Sequence, residues 1–159
     1  MKSPRRSRFG FIARTIRRRV LVGAILLLSL LAIPSLRATV DDALSFAYEA
    51  ALPYYKQGFS IRKDAWGGDL GVRDKKAVSS QLFKGNDYWF LMATDVKGAS
   101  LSVHIYDDKG NLVDAESWQR GRFAGVRVRP KSTGTFFAIV QILKSPEDRT
   151  PWALVYGYK

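Results

Sequence analysis

Downstream of Gly58 the chain alternates apolar and polar residues with a period of two. The clearest stretch spans residues 101–116. Leu101, Val103 and Ile105 fall on one face of a half-buried strand, with Ser102, His104 and Tyr106 on the other. Asp107, Asp108, Gly110 and Asn111 supply turn chemistry: side chains that bond their own backbone, and a glycine that accepts positive φ. Leu112 and Val113 open a return strand, so a β-hairpin is expected here.

Other strands are predicted over residues 59–62, 77–83, 88–93, 123–129, 135–143 and 152–158. Residues 66–71 hold three glycines and read as a turn or bulge. Residues 88–93 are apolar on both faces, as in a central strand covered on two sides. In 123–129, Val126 and Val128 point inward, and Arg127 and Arg129 outward. About eight short strands with turns between them predict an all-β fold, an antiparallel, jelly-roll-like β-sandwich. Two helices precede it, one in a hydrophobic leader and one short and amphipathic. The second occupies residues 39–57, where Leu44, Ala47, Tyr48, Ala51 and Leu52 recur at helical spacing and Pro53 closes or bends the segment. That segment reads as a linker helix, lying across one end of the sandwich or spacing it from a membrane.

Composition changes the picture only when it is located. The net charge of +12 suggests a nucleic-acid partner, yet nine of the 26 basic residues and none of the 14 acids fall in residues 1–38. The remainder carries about +3, too little for a polyanion footprint, so no nucleic acid is expected. Residues 20–33 are 14 uncharged residues behind an arginine-rich front. As a helix they span roughly 21 Å, short of the roughly 30 Å hydrocarbon core. Residues 1–38 therefore read as a signal peptide cleaved after Ala38, or as an uncleaved signal anchor. Export to the periplasm or beyond the cell follows, with the membrane touched only through this segment. The twin arginines at Arg5-Arg6 and Arg17-Arg18 are expected by chance in so basic a stretch. Cysteine is absent, which removes disulfides and thiolate chemistry.

The order L-F-K-G-N-D-Y-W-F, L-S-V-H-I-Y-D-D-K-G-N-L-V, V-R-P-K-S-T-G-T-F-F-A-I-V and W-A-L-V-Y resembles the bacterial pre-peptidase C-terminal domain over about residues 81–158. The resemblance implies a jelly-roll sandwich similar to collagen-binding domains, usually appended to secreted proteases. It also implies a non-catalytic role in export, substrate attachment or adhesion. No acidic calcium cluster of the family can be matched at Asp69-Leu70 or Asp95-Val96, so no cofactor or metal is expected.

Chemistry is sparse. His104 is the single histidine, no G-x-S-x-G accompanies it, and it reads as a polar surface residue rather than a base. Residues 107–111 lack the ligand pattern of a calcium loop. Asp64, Asp69 and Asp74 are spaced by five and could converge on a metal, though spaced surface acids are usually solvated. Trp89 and Trp152 read as core. Trp66 and Trp118 are the candidates for an exposed surface that stacks on sugars or fills a partner's pocket. Arg120, Arg122, Arg127 and Arg129 form a candidate basic strand face. A glycan or an envelope protein is the expected partner. The rival readings are a carbohydrate-binding module and a membrane-tethered envelope structural protein.

Overall fold

A computed structural model describes residues 39–159. The leader expected over residues 1–38 lies outside them. Among the described residues no helix is long and apolar enough to cross a membrane. Within residues 39–159 one helix, α1 (Val40–Lys56), precedes eight strands: β1 (Ser60–Leu70), β2 (Lys75–Leu82), β3 (Tyr88–Ala93), β4 (Ser100–Tyr106), β5 (Glu116–Arg120), β6 (Phe123–Val128), β7 (Gly134–Lys144) and β8 (Thr150–Tyr158).

The strands form two antiparallel sheets, ordered β1-β8-β3-β6-β5 and β2-β7-β4. β1 pairs with β8, β2 with β7 and β3 with β6, so the chain is one long hairpin folded about residues 107–111 and rolled into two layers. That nesting is the jelly-roll order. The all-β sandwich expected from the alternation is the observed fold.

The hairpin of residues 101–116 survives only at its tip. Asp107 N–H bonds the Asn111 carbonyl at 3.0 Å, Val113 N–H bonds the Ile105 carbonyl at 2.9 Å, and Gly110 turns the chain at φ 80°. Pairing then stops at the single bridge Tyr106–Leu112. The return segment crosses to the larger sheet, and Ala115 N–H bonds the Arg127 carbonyl at 2.8 Å as β5 joins β6. The expected return strand beside β4 is therefore corrected to a crossover.

Strand alternation sorts the core into two clusters. Tyr88, Phe90 and Met92 of β3 join Trp152 and Leu154 of β8 between the sheets. Trp89, Leu91 and Ala93 face the other way, with Ala153 and Val155, and α1 covers them with Ala43, Ala47 and Ala51. The small alanines let the helix lie close to the sheet. Each large side chain buried this way stabilises by roughly 1.5–3 kcal/mol.

The segment expected as a linker over residues 39–57 thus forms α1, the outer layer of the domain within its compact unit, and not a spacer. Thr39 caps it by accepting from Asp42 N–H at 3.2 Å, and Asp41 and Asp42 sit in its positive first turn. Pro53 lies inside the helix rather than closing it. Leu52, expected on the buried stripe, is 54% exposed.

Of the turn or bulge expected at residues 66–71, residues 66–70 are instead continuous strand, and Gly71 follows its end. The irregularity falls earlier, between Ile61 and Ala65. Glycine is needed at 67 for close approach: a Cβ there would lie 2.6 Å from Val40 Cγ1 and 3.2 Å from the Trp152 carbonyl.

Candidate functional site

The last turns of α1 and the edge strand β5 enclose a hollow of about 470 Å³. Trp118 forms its wall, and Tyr54, Arg120, Glu116, Glu49 and Gln57 surround it. Alternation along β5 puts Glu116, Trp118 and Arg120 on the helix side. Opposite Trp118 on β6 stands Gly125, where a Cβ would come within 2.6 Å of the indole. The missing side chain lets the ring lie flat on the strand.

The indole is held from the helix as well. Trp118 Nε1–H donates to the Tyr54 hydroxyl at 2.8 Å. Tyr54 is itself fixed, with its ring centroid 4.5 Å from that of Trp89 and 6.2 Å from that of Phe59. Burial pushes the Tyr54 phenol above its ordinary value, and the donated indole hydrogen bond opposes the shift. The Arg120 guanidinium stands 5.9 Å from the Trp118 ring centroid, within cation–π range, and makes no ion pair among the described residues. The result is a rigid aromatic wall flanked by one unpaired cation and two carboxylates, suited to stacking plus hydrogen bonding.

The six residues singled out in the sequence do not converge. Trp66 lies on β1, half-buried against the inter-sheet cluster, its ring 5.5 Å from that of Tyr156. Trp118 packs on the helix-side cluster. The two indoles occupy opposite faces of the larger sheet and form no common platform. The basic face is also divided. Arg127 grips Asp87 with two bonds, at 2.9 and 2.5 Å, and reaches Glu116 at 3.4 Å, while Arg129 shares Asp87 at 3.3 Å. Hydrogen bonding from Arg127 holds the Asp87 carboxyl below the usual range. Arg122 lies 3.9 Å from the Phe46 ring centroid and donates to the Asp95 carbonyl. Only Arg120 joins Trp118 in the hollow.

Sequence reasoning missed Tyr54, Glu49 and Glu116. Tyr54 was within reach, since it continues the row Ala43, Ala47, Ala51 at helical spacing. The edge-strand partners were not, because β5 was expected beside β4.

His104 has a partner the sequence did not reveal: its Nδ1 lies 2.6 Å from Asp114 Oδ2. Asp69 and Asp74 converge on the Arg149 guanidinium, at 2.8 and 3.6 Å, whereas Asp64 pairs with Arg62 at 2.6 Å. Two of the three spaced acids thus enclose an arginine, and among the described residues no three-group metal cluster forms.

No family model matches the chain, and no curated protein matches it. Among solved structures it is similar to the Aeromonas hydrophila protein PliG, a periplasmic lysozyme inhibitor of g-type lysozyme. That likeness has 11% identity and a TM-score of 0.41 over 65% of this chain and 90% of the other. A de novo designed double-stranded β-helix is similar over 61% of this chain and all of its own length, at 8% identity and a TM-score of 0.34. Likenesses at this level carry no functional argument.

Proposed function

We propose that the chain is an exported, non-catalytic binding module of the cell envelope, which engages its partner at the Trp118 hollow. The observation that carries this reading is the Trp118–Tyr54 hydrogen bond beside the unpaired Arg120. It fixes an aromatic surface in advance, so little side-chain entropy is lost when a partner binds. Membership of the pre-peptidase C-terminal domain family belongs to the same proposal. It is supported by the residues quoted above and by the placing of Gly85 and Gly110 at positive φ in turns. Export rests on the arginine-rich front and the apolar stretch at residues 20–33.

A photo-crosslinking side chain at Gln57, on the rim of the hollow, tests the partner in cells. A thermal-shift panel of envelope glycans tests the sugar alternative. We expect one discrete crosslinked envelope protein, or a shift with one glycan class, lost in Trp118→Ala and weakened in Arg120→Ala. The absence of both a crosslink and a shift would reject the binding role. Intact mass separates the two fates of the leader: a chain starting near Thr39 marks cleavage, and one starting at Met1 in the membrane fraction marks a tether.

A further inference from the structure

A second hollow, of about 510 Å³, lies between the tip turn at residues 107–111 and the β6–β7 turn. Leu112, Val113, Pro130 and Phe136 give it an apolar floor. Leu112 is 56% exposed there, a large aliphatic side chain left facing water.

The polar lining divides into a spent wall and an available one. Asp107 and Asp114 are both occupied within the fold. Asp107 accepts from Lys109 N–H, Asn111 N–H and the Asn111 amide at 2.8–3.0 Å. Asp114 accepts Ile105 N–H with Oδ1, and its Oδ2 contacts His104. Across from them stand Arg129, Lys131 and Ser132. Arg129 meets Asp87 only through Nε, at 3.3 Å, so both terminal guanidinium nitrogens remain for a planar acceptor. Lys131 makes no ion pair among the described residues. Arg129 and Lys131 thus present charged donors on one wall, and the group such donors complement is a carboxylate.

We propose that this hollow captures the free C-terminal carboxylate of a peptide whose last residue is apolar. Arg129 and Lys131 take the carboxylate, Ser132 adds a hydroxyl, and the terminal side chain covers Leu112, Val113 and Phe136. The site is separate from the Trp118 hollow and does not depend on its reading.

Calorimetric titration of the full-length chain in an uncharged detergent tests it. The probes are an acetylated tripeptide ending in leucine, as free acid and as amide, and acetate alone. The free acid is expected to bind, and the amide to bind about tenfold more weakly, the loss of one charge-assisted hydrogen bond. Lys131→Gln should cause a loss of about the same size, while Lys97→Gln, at a distant exposed turn, leaves binding unchanged. Equal affinity for acid and amide, an unaffected Lys131→Gln, or no binding at about millimolar peptide overturns the site. Acetate binding as tightly as the tripeptide overturns the apolar floor. Melting curves confirm that each variant is folded, and the Gln57 crosslink reports on the other hollow independently.

Discussion

Asp114 Oδ1 accepts the backbone N–H of Ile105 at 2.8 Å, in the place where a paired strand would present a carbonyl. A side chain thus closes the β4 ladder, and the backbone is free to leave for the other sheet. The same carboxylate contacts His104 Nδ1 at 2.6 Å, which fixes its orientation. Only 11% of the Asp114 side chain is exposed, against 43% for His104.

Asp114→Ala is expected to lower stability by about 1–3 kcal/mol in urea unfolding, because a buried N–H loses its acceptor. His104→Ala, half exposed, should cost about 0.5–1.5 kcal/mol, and Asp114→Asn, which keeps an acceptor, less than Asp114→Ala. Equal losses for Asp114→Ala and His104→Ala would show that the ladder bond contributes nothing.

Asp87 links the turn before β3 to Arg127 on β6, and 15% of its side chain is exposed. Hydrogen bonding from Arg127 lowers its carboxyl below the model-compound value of 3.8. A depressed acid stabilises the fold above its unfolded value, and this contribution fades as pH falls below it. Asp87→Asn should cost about 1.5–3 kcal/mol near neutral pH and flatten the acid limb of the stability curve. An unchanged acid limb in the variant would assign the limb to other groups.

The Tyr54 phenol, raised above 10.0 by burial, should titrate late in an absorbance titration at alkaline pH. The sign is opposite to that of Asp87. The unfolded chain ionises first, so this group leaves stability flat below about 10 and erodes it at higher pH. Tyr54→Phe removes that erosion, costs about 0.5–1.5 kcal/mol at neutral pH, and loosens Trp118. An ordinary Tyr54 titration would mean that the phenol is solvated.

Gly125→Ala drives a methyl group into the Trp118 indole. The ring must swing off the strand, at a cost of about 1–3 kcal/mol. Tryptophan emission should shift to the red, and binding in the first hollow should fall with it. Unchanged emission with unchanged binding would show that the indole does not need this seat.

Much of the architecture was legible in the chain. β3 coincides with the predicted central strand at 88–93, and all six of its residues are buried, because a strand covered on both faces must be apolar throughout. Trp89 and Trp152 are buried as expected. What covers the outer face of β3 was not legible. The alanine row of α1 is too small to announce a layer of core: of the expected stripe, Leu44, Ala47, Tyr48 and Ala51 do pack on the helix-side cluster, and only Leu52 falls outside it. Gly67 looked like a turn because the sequence does not show Val40 and Trp152 pressing on it.

By itself, the sequence determined the period of two, the turn chemistry at Asp107, Gly110 and Asn111, and hence two layers of antiparallel strands. Each of these is a property of neighbours along the chain, set by pleat geometry and allowed φ angles. The tertiary structure alone decided that β5 leaves β4 for β6, that Asp87 neutralises part of the basic face, and that Trp66 and Trp118 part company across a sheet. Those outcomes join residues tens of positions apart, and a carboxylate or an indole carries no local mark of the partner that folding brings to it.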